Sequence, residues 1–106
     1  MDVIWTSPAE KSFAETLYYI RLRTGDRSAH KVWQMIKKQA DLLAMNPYMG
    51  KVDSDLVTGN RQYRFVIVNK RSKIYYFIEG DNLYIALIMD TRQDLRDIKE
   101  KLSTLF

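Results

Sequence analysis

Cysteine is absent from this 106-residue chain. That excludes disulfides, thiol nucleophiles and cysteine-ligated zinc, and it fits a reducing compartment. Histidine occurs once, as His30 between Ala29 and Lys31. One imidazole with neither cysteine nor clustered acids does not make a zinc site, and no serine stands in a nucleophile-elbow context to build a triad with it. The four glycines all sit in turn positions, so there is no glycine-rich phosphate cradle. No apolar run is long enough to span a bilayer, and the first residues lack the pattern of an export signal. The expectation is a cytoplasmic protein with no cofactor, no metal and no membrane attachment. A further absence is local: residues 56–78 contain no acid.

What that stretch does contain is Arg61, Arg64, Lys70, Arg71 and Lys73, five cations in a chain whose formal net charge is +4. It reads as strand rather than tail, and a folded cationic surface seeks a polyanion or an acidic partner. The length suits one domain, residues 1–106, and a hydrophobic share of 46% suffices for a single small core.

Apolar periodicity orders the elements as β-α-α-β-β-β-α. Residues 1–6 are β-prone. Ser7-Pro8-Ala9-Glu10 starts a helix, with Ser7 as cap, Pro8 at the first helical position and Glu10 closing a capping box. Phe13, Leu17 and Ile20 follow at helical spacing, and Thr24-Gly25 ends the element. A second helix begins near Asp26 or Ser28. Ala29, Val32, Trp33, Ile36, Ala40 and Leu43 form its apolar stripe, and Asn46-Pro47 stops it. The short connection predicts an antiparallel helical hairpin. Residues 46–60 read as a loop punctuated by Pro47, Gly50 and Gly59. Strands are expected over 62–68, 73–79 and 83–89, the last two joined by the hairpin signal Gly80-Asp81-Asn82. Successive apolar residues from Ile85 to Met89 suit a strand covered on both faces. Asp94 caps an expected last helix over 95–102. The class is α+β, an antiparallel sheet packed against an N-terminal helical hairpin. The core is expected to hold Trp5, Phe13, Leu17, Trp33, Ile36, Ile74, Tyr76, Ile85 and Leu87.

Among the cations, Arg64 alternates with Tyr63 and Phe65 and therefore faces away from both. Arg92 directly follows the last strand, beside a helix N-terminus. It either binds phosphate there or pairs with Asp90 or Asp94 to tie the helix down. Tyr63, Tyr75, Tyr76 and Tyr84 interleave with the cations as base-stacking residues would, but cross-strand and core roles are the commoner use of such tyrosines. The turn between the two helices resembles a helix-turn-helix reader only superficially, because the second helix carries a broad apolar stripe.

Taken in order, a set of short motifs resembles the ParE/RelE toxin superfamily of bacterial toxin–antitoxin systems over nearly the full length. They are Val3-x-Trp5-Thr6-x-x-Ala9, Leu43-x-x-Asn46-Pro47-x-x-Gly50, Gln62-Tyr63-Arg64, Ile74-Tyr75-Tyr76 and Ile85-x-x-Ile88-Met89-Asp90-x-Arg92-Gln93-Asp94. The resemblance implies a RelE/ParE-like fold and a small toxin neutralised by a cognate antitoxin. An extended or helical acidic segment of that partner would fold on binding. Two target classes follow from it. RelE-like members cleave mRNA on the ribosome with clustered cations. Arg64, Lys73 and Arg92 fall at such positions, while Val66 and Ile98 stand where a second lysine and a catalytic tyrosine are expected. ParE-like members poison DNA gyrase and are not nucleases. They match the helical hairpin, Pro47-x-x-Gly50 and Asp90-x-Arg92-x-Asp94, although many carry histidine where Asp90 stands. ParE-like inhibition of gyrase is the favoured expectation. A ribosome-dependent mRNA endoribonuclease and an inactive antitoxin-binding module are the alternatives. The candidate binding residues are Arg61, Arg64, Arg71, Lys73 and Arg92. An exposed sheet edge leaves pairing with a second copy or with the antitoxin open.

Overall fold

A computed structural model describes residues 1–58 and 61–91 and, beyond them, Arg96, Glu100 and Leu102. The elements are β1 (Asp2–Trp5), α1 (Ser7–Thr24), α2 (Asp26–Met45), β2 (Lys51–Thr58), β3 (Arg61–Val68), β4 (Ser72–Glu79) and β5 (Asn82–Asp90). The helices α1 and α2 and, among the described residues, a five-stranded mixed sheet make the α+β class expected from the sequence.

The entry into α1 differs by one residue from the sequence expectation. Thr6, not Ser7, is the cap: its Oγ1 accepts from the Ala9 amide at 3.2 Å and donates to the Ile85 carbonyl at 2.8 Å. The hydroxyl that caps the helix therefore also ties it to β5, which Ser7 is not placed to do. At the other end Gly25 adopts φ 96°, a left-handed conformation that glycine adopts readily. Its amide donates to the Arg21 carbonyl at 2.9 Å, and α2 starts at the next residue. In α2, Ala29, Ile36, Ala40 and Leu43 are buried at helical spacing. Trp33 is a correction: expected in the core, it is 42% exposed and stacks on His30 with centroids 5.9 Å apart.

The sheet runs β1-β5-β4-β3-β2. β1 pairs with β5 in parallel, with Asp2 opposite Asn82 and Trp5 opposite Ile85, and the other neighbours are antiparallel. A strand therefore occupies 51–58, where a loop was expected. Asp53 and Asp55 read as loop residues, and they do lie in an irregularity: five residue steps on β2, from Val52 to Val57, oppose two on β3, from Arg64 to Gln62.

The two faces of the sheet carry separate cores. Phe13, Ile36, Leu43, Ile74, Tyr76 and Ile85 pack under the helical hairpin. Leu56, Tyr63, Tyr75, Phe77, Leu87 and Leu102 pack on the other side. A register shift between Tyr75 and Tyr76 places Ala86 as an extra residue on β5. Ala86 and Leu87 consequently both belong to the second core. With apolar residues required on both faces, β5 loses the polar alternation of a half-exposed strand. Arg96, Glu100 and Leu102 are helical. Asp94 and the rest of the expected last helix lie outside the described residues. Among the described residues no helix is long and apolar enough to cross a membrane.

Candidate functional site

The candidate cations separate by strand parity. Arg64 pairs with Tyr76 across β3 and β4 and lies on the helix side of the sheet. There its Nη1 donates to the carbonyls of Gly50, at 2.8 Å, and Tyr48, at 3.4 Å. Its guanidinium carbon also stands 5.1 Å from the centre of the Tyr48 ring. Lys73, paired with Ile67, emerges on the opposite face, where its ammonium lies 4.7 Å from the Phe65 ring centre and 5.9 Å from that of Tyr75. Arg61 is on that second face too. It pairs with Glu79 at 3.3 Å and stacks 4.0 Å from the centre of the Phe77 ring. Arg71 sits in the β3–β4 turn and borders a cleft of about 440 Å³ between α1 and the end of the β4–β5 hairpin, together with Glu15, Tyr19 and Asp90. Arg92 and Ile98 lie outside the described residues. The structure thus puts Arg61 and Lys73 on one face but at opposite ends of β3 and β4, and sets Arg64 and Arg71 apart from them.

The 46–50 turn, marked in the sequence only by Pro47 and Gly50, is the most constrained feature of this region. Tyr76 Oη accepts from the Gly50 amide at 2.8 Å and donates to the Pro47 carbonyl at 2.8 Å. Burial raises the Tyr76 pKa, opposed by the Gly50 N–H and by the Arg64 charge. A Cβ on Gly50 would come within 2.8 Å of the Tyr76 ring. Glycine is required here by this close approach. Tyr76 and Arg64 together bolt the turn to the sheet from beneath, while Tyr48 and Met49 stay exposed on top.

On the second face Tyr63 and Tyr75 bury hydroxyls that have no hydrogen-bond partner among the described residues. Burial pushes the Tyr75 phenol up to about 12, with the Asp53 carboxylate adding to the shift. Neither tyrosine is available to stack on a base, because both are buried. Among the described residues no three acids or histidines converge as a metal centre requires.

The sequence matches the family described as "ParE toxin of type II toxin-antitoxin system, parDE" over residues 3–101. The chain belongs to this ParE toxin family. A solved structure from the chromosomal ParDE TA system of P. aeruginosa is similar in fold, with a TM-score of 0.71 at 20% identity over 85% of this chain and 95% of that one. No curated protein gives a match.

Proposed function

We propose that this ParE-family toxin acts in the cytoplasm by inhibiting DNA gyrase and is held inactive by a cognate antitoxin. The observation that carries the reading is the separation of Arg64 from Lys73. Cleavage of mRNA by a RelE-like mechanism needs cations preorganised around one phosphate as its charge develops. Here the two sheet cations leave opposite faces, and Arg64 is already committed to the Gly50 and Tyr48 carbonyls. One phosphate does not reach both. Membership of the ParE family supports the same choice.

The test is brief induction without antitoxin, with mRNA 5′ ends and gyrase-linked DNA breaks followed together. The expected outcome is growth arrest with intact mRNA, trapped breaks, and protection in a strain with altered gyrase. New ends inside translated codons that vanish when translation is blocked would instead make the protein a ribosome-dependent nuclease. Unimpaired growth would make it an antitoxin-binding module.

A further inference from the structure

Many cations of this chain are used by the fold. Arg64 holds the 46–50 turn, and Arg61 pairs with Glu79. Lys37 lies 4.9 Å from the centre of the Trp5 ring, and Arg21 and Arg23 lie 5.4 Å and 4.7 Å from those of Tyr18 and Tyr19. Arg27, Lys31 and Lys38 of α2 are different. Among the described residues their side chains have no ion pair, hydrogen bond or ring contact, and all three are exposed. They stand in a segment, residues 21–38, that holds six cations and one acid, Asp26, and so carries more positive charge than the whole chain, at +4.

At 3.6 residues per turn, Arg27, Lys31, Gln34 and Lys38 fall within an arc of about 60° on α2 and mark a line about 16 Å long. The arc is opposite Ile36 and Leu43, which the helix buries. Between Arg27 and Lys38 the arc is exposed and polar, with no apolar side chain on it. His30 borders the line with its ring stacked on Trp33, and Asp41 is the first acid past Lys38.

Local electrostatics opposes this placement. A helix dipole favours acids at the N-terminus and cations at the C-terminus. Here Arg27 stands in the first turn of α2, and the last turn has no base. The acid of the first turn, Asp26, lies 3.9 Å from Arg21 of α1. Arg27 and Lys31 are four residues apart, a like-charge spacing that destabilises a helix. Helix stability thus gives no reason for the line of cations. A local rule broken without gain to the fold marks a functional surface.

The occupant follows from the charge and from the lack of apolar anchors. An acidic peptide that folds on binding must bury apolar surface to offset its ordering, and this arc offers none. A folded partner or a lipid surface also takes its hold from apolar residues. A single strand is held by stacking on aromatic rings, which the arc lacks. Duplex DNA needs only cations. It presents about one phosphate charge per 1.7 Å of its axis, so a line of this length meets several.

We infer that Arg27, Lys31 and Lys38 form a seat for duplex DNA, held through its phosphates and without regard to base sequence. The inference goes beyond the gyrase reading and stands whether or not gyrase is the target. The test is fluorescence anisotropy of a labelled duplex of arbitrary sequence, titrated with the full-length toxin at a series of NaCl concentrations. Three phosphate contacts predict a slope of log affinity against log salt of about −2.7, or about a 40-fold loss between 50 and 200 mM. An Arg27→Gln, Lys31→Gln double variant should bring the slope to about −0.9 and weaken binding at 50 mM by about tenfold or more. A charge-matched control, Lys51→Gln with Lys70→Gln, should keep the wild-type slope. The thermal melt of the α2 variant should not fall, because a like-charge pair has been removed. Wild type that does not bind duplex at 50 mM NaCl overturns the inference. So does an unchanged slope in the folded α2 variant, or an equal fall in both double variants, which would make net charge the cause. Tighter binding of wild type to a single strand than to duplex overturns the choice of ligand. Loss of antitoxin affinity in the α2 variant with duplex binding retained would assign the line to the antitoxin and overturn the inference as well.

Discussion

Tyr75 and Tyr76 are adjacent, equally buried, and opposite in what their hydroxyls do. Tyr76 Oη bridges the Gly50 amide and the Pro47 carbonyl. Tyr75 Oη meets no partner among the described residues. Removing Tyr76 Oη leaves two backbone groups of the turn unpaired, so Tyr76→Phe should cost about 1–3 kcal/mol, whereas Tyr75→Phe removes an uncompensated polar atom and should be near neutral or stabilising. The Tyr75 phenol, raised from 10 to about 12, also carries a pH signature. Between those values the unfolded chain has lost this proton and the folded chain still holds it. The unfolded state is therefore increasingly favoured as pH rises through the window, and below it the group contributes no pH dependence. The fall attributable to Tyr75 is on the order of 2 kcal/mol. Urea unfolding at pH 9 and pH 11.5 should show it in wild type. The loss should be smaller in Tyr75→Phe, and an equal loss in both proteins would assign the alkaline instability to other groups.

At the scale of elements, one hydroxyl joins β1, α1 and β5. β1 pairs with β5 only as far as Trp5 and Ile85. Past that point the Thr6 amide still donates to the Ile85 carbonyl at 3.2 Å, and side chains add to it: Thr6 Oγ1 donates to the same carbonyl, and Ser12 Oγ accepts from the Ile88 amide at 3.0 Å. Thr6→Ala should therefore cost about 1–2 kcal/mol, the range for losing an N-cap. Ser7→Ala should be almost silent, and equal costs measured by denaturant titration would restore Ser7 as the cap. The start of α1 was legible to within a residue because Thr6-Ser7-Pro8 must open a helix. Which hydroxyl caps it depended on β5, which lies about eighty residues away in sequence. The same limit explains Trp33. Its place in the α2 stripe is plain, but Trp33 falls at the margin of that stripe, half-exposed beside His30 and near Leu17 of α1. β2 lacks a strand pattern in the sequence because its excursion carries Asp53 and Asp55, with Asp53 Oδ1 accepting from the Asp55 amide in a local turn.

Across the whole molecule the sheet separates two cores, and the same separation puts Arg64 and Lys73 on opposite faces. That Arg64 faces away from Tyr63 and Phe65 was visible in the alternation. That Lys73 faces the other way depends on the β3–β4 register, set by a turn with Asn69 and Lys70 at φ 53° and 63°. No periodicity in the sequence specifies that register. The helix-side core has two helices over it. The second core is closed by Leu56, from the irregular part of β2, and by Leu102, both buried against the aromatic residues of β3 and β4. Leu56→Ala and Leu102→Ala should each cost about 2–5 kcal/mol. Because both deletions open the same cluster, their costs should not add. The double variant should be less destabilised than the sum by about 0.5–3 kcal/mol, whereas Leu56→Ala combined with Leu43→Ala, which lies in the other core, should be additive to within about 0.5 kcal/mol. Denaturant midpoints at constant slope provide the comparison. Strict additivity of Leu56 and Leu102 would mean that the strand excursion and Leu102 close two independent patches, and that the second face is not one core.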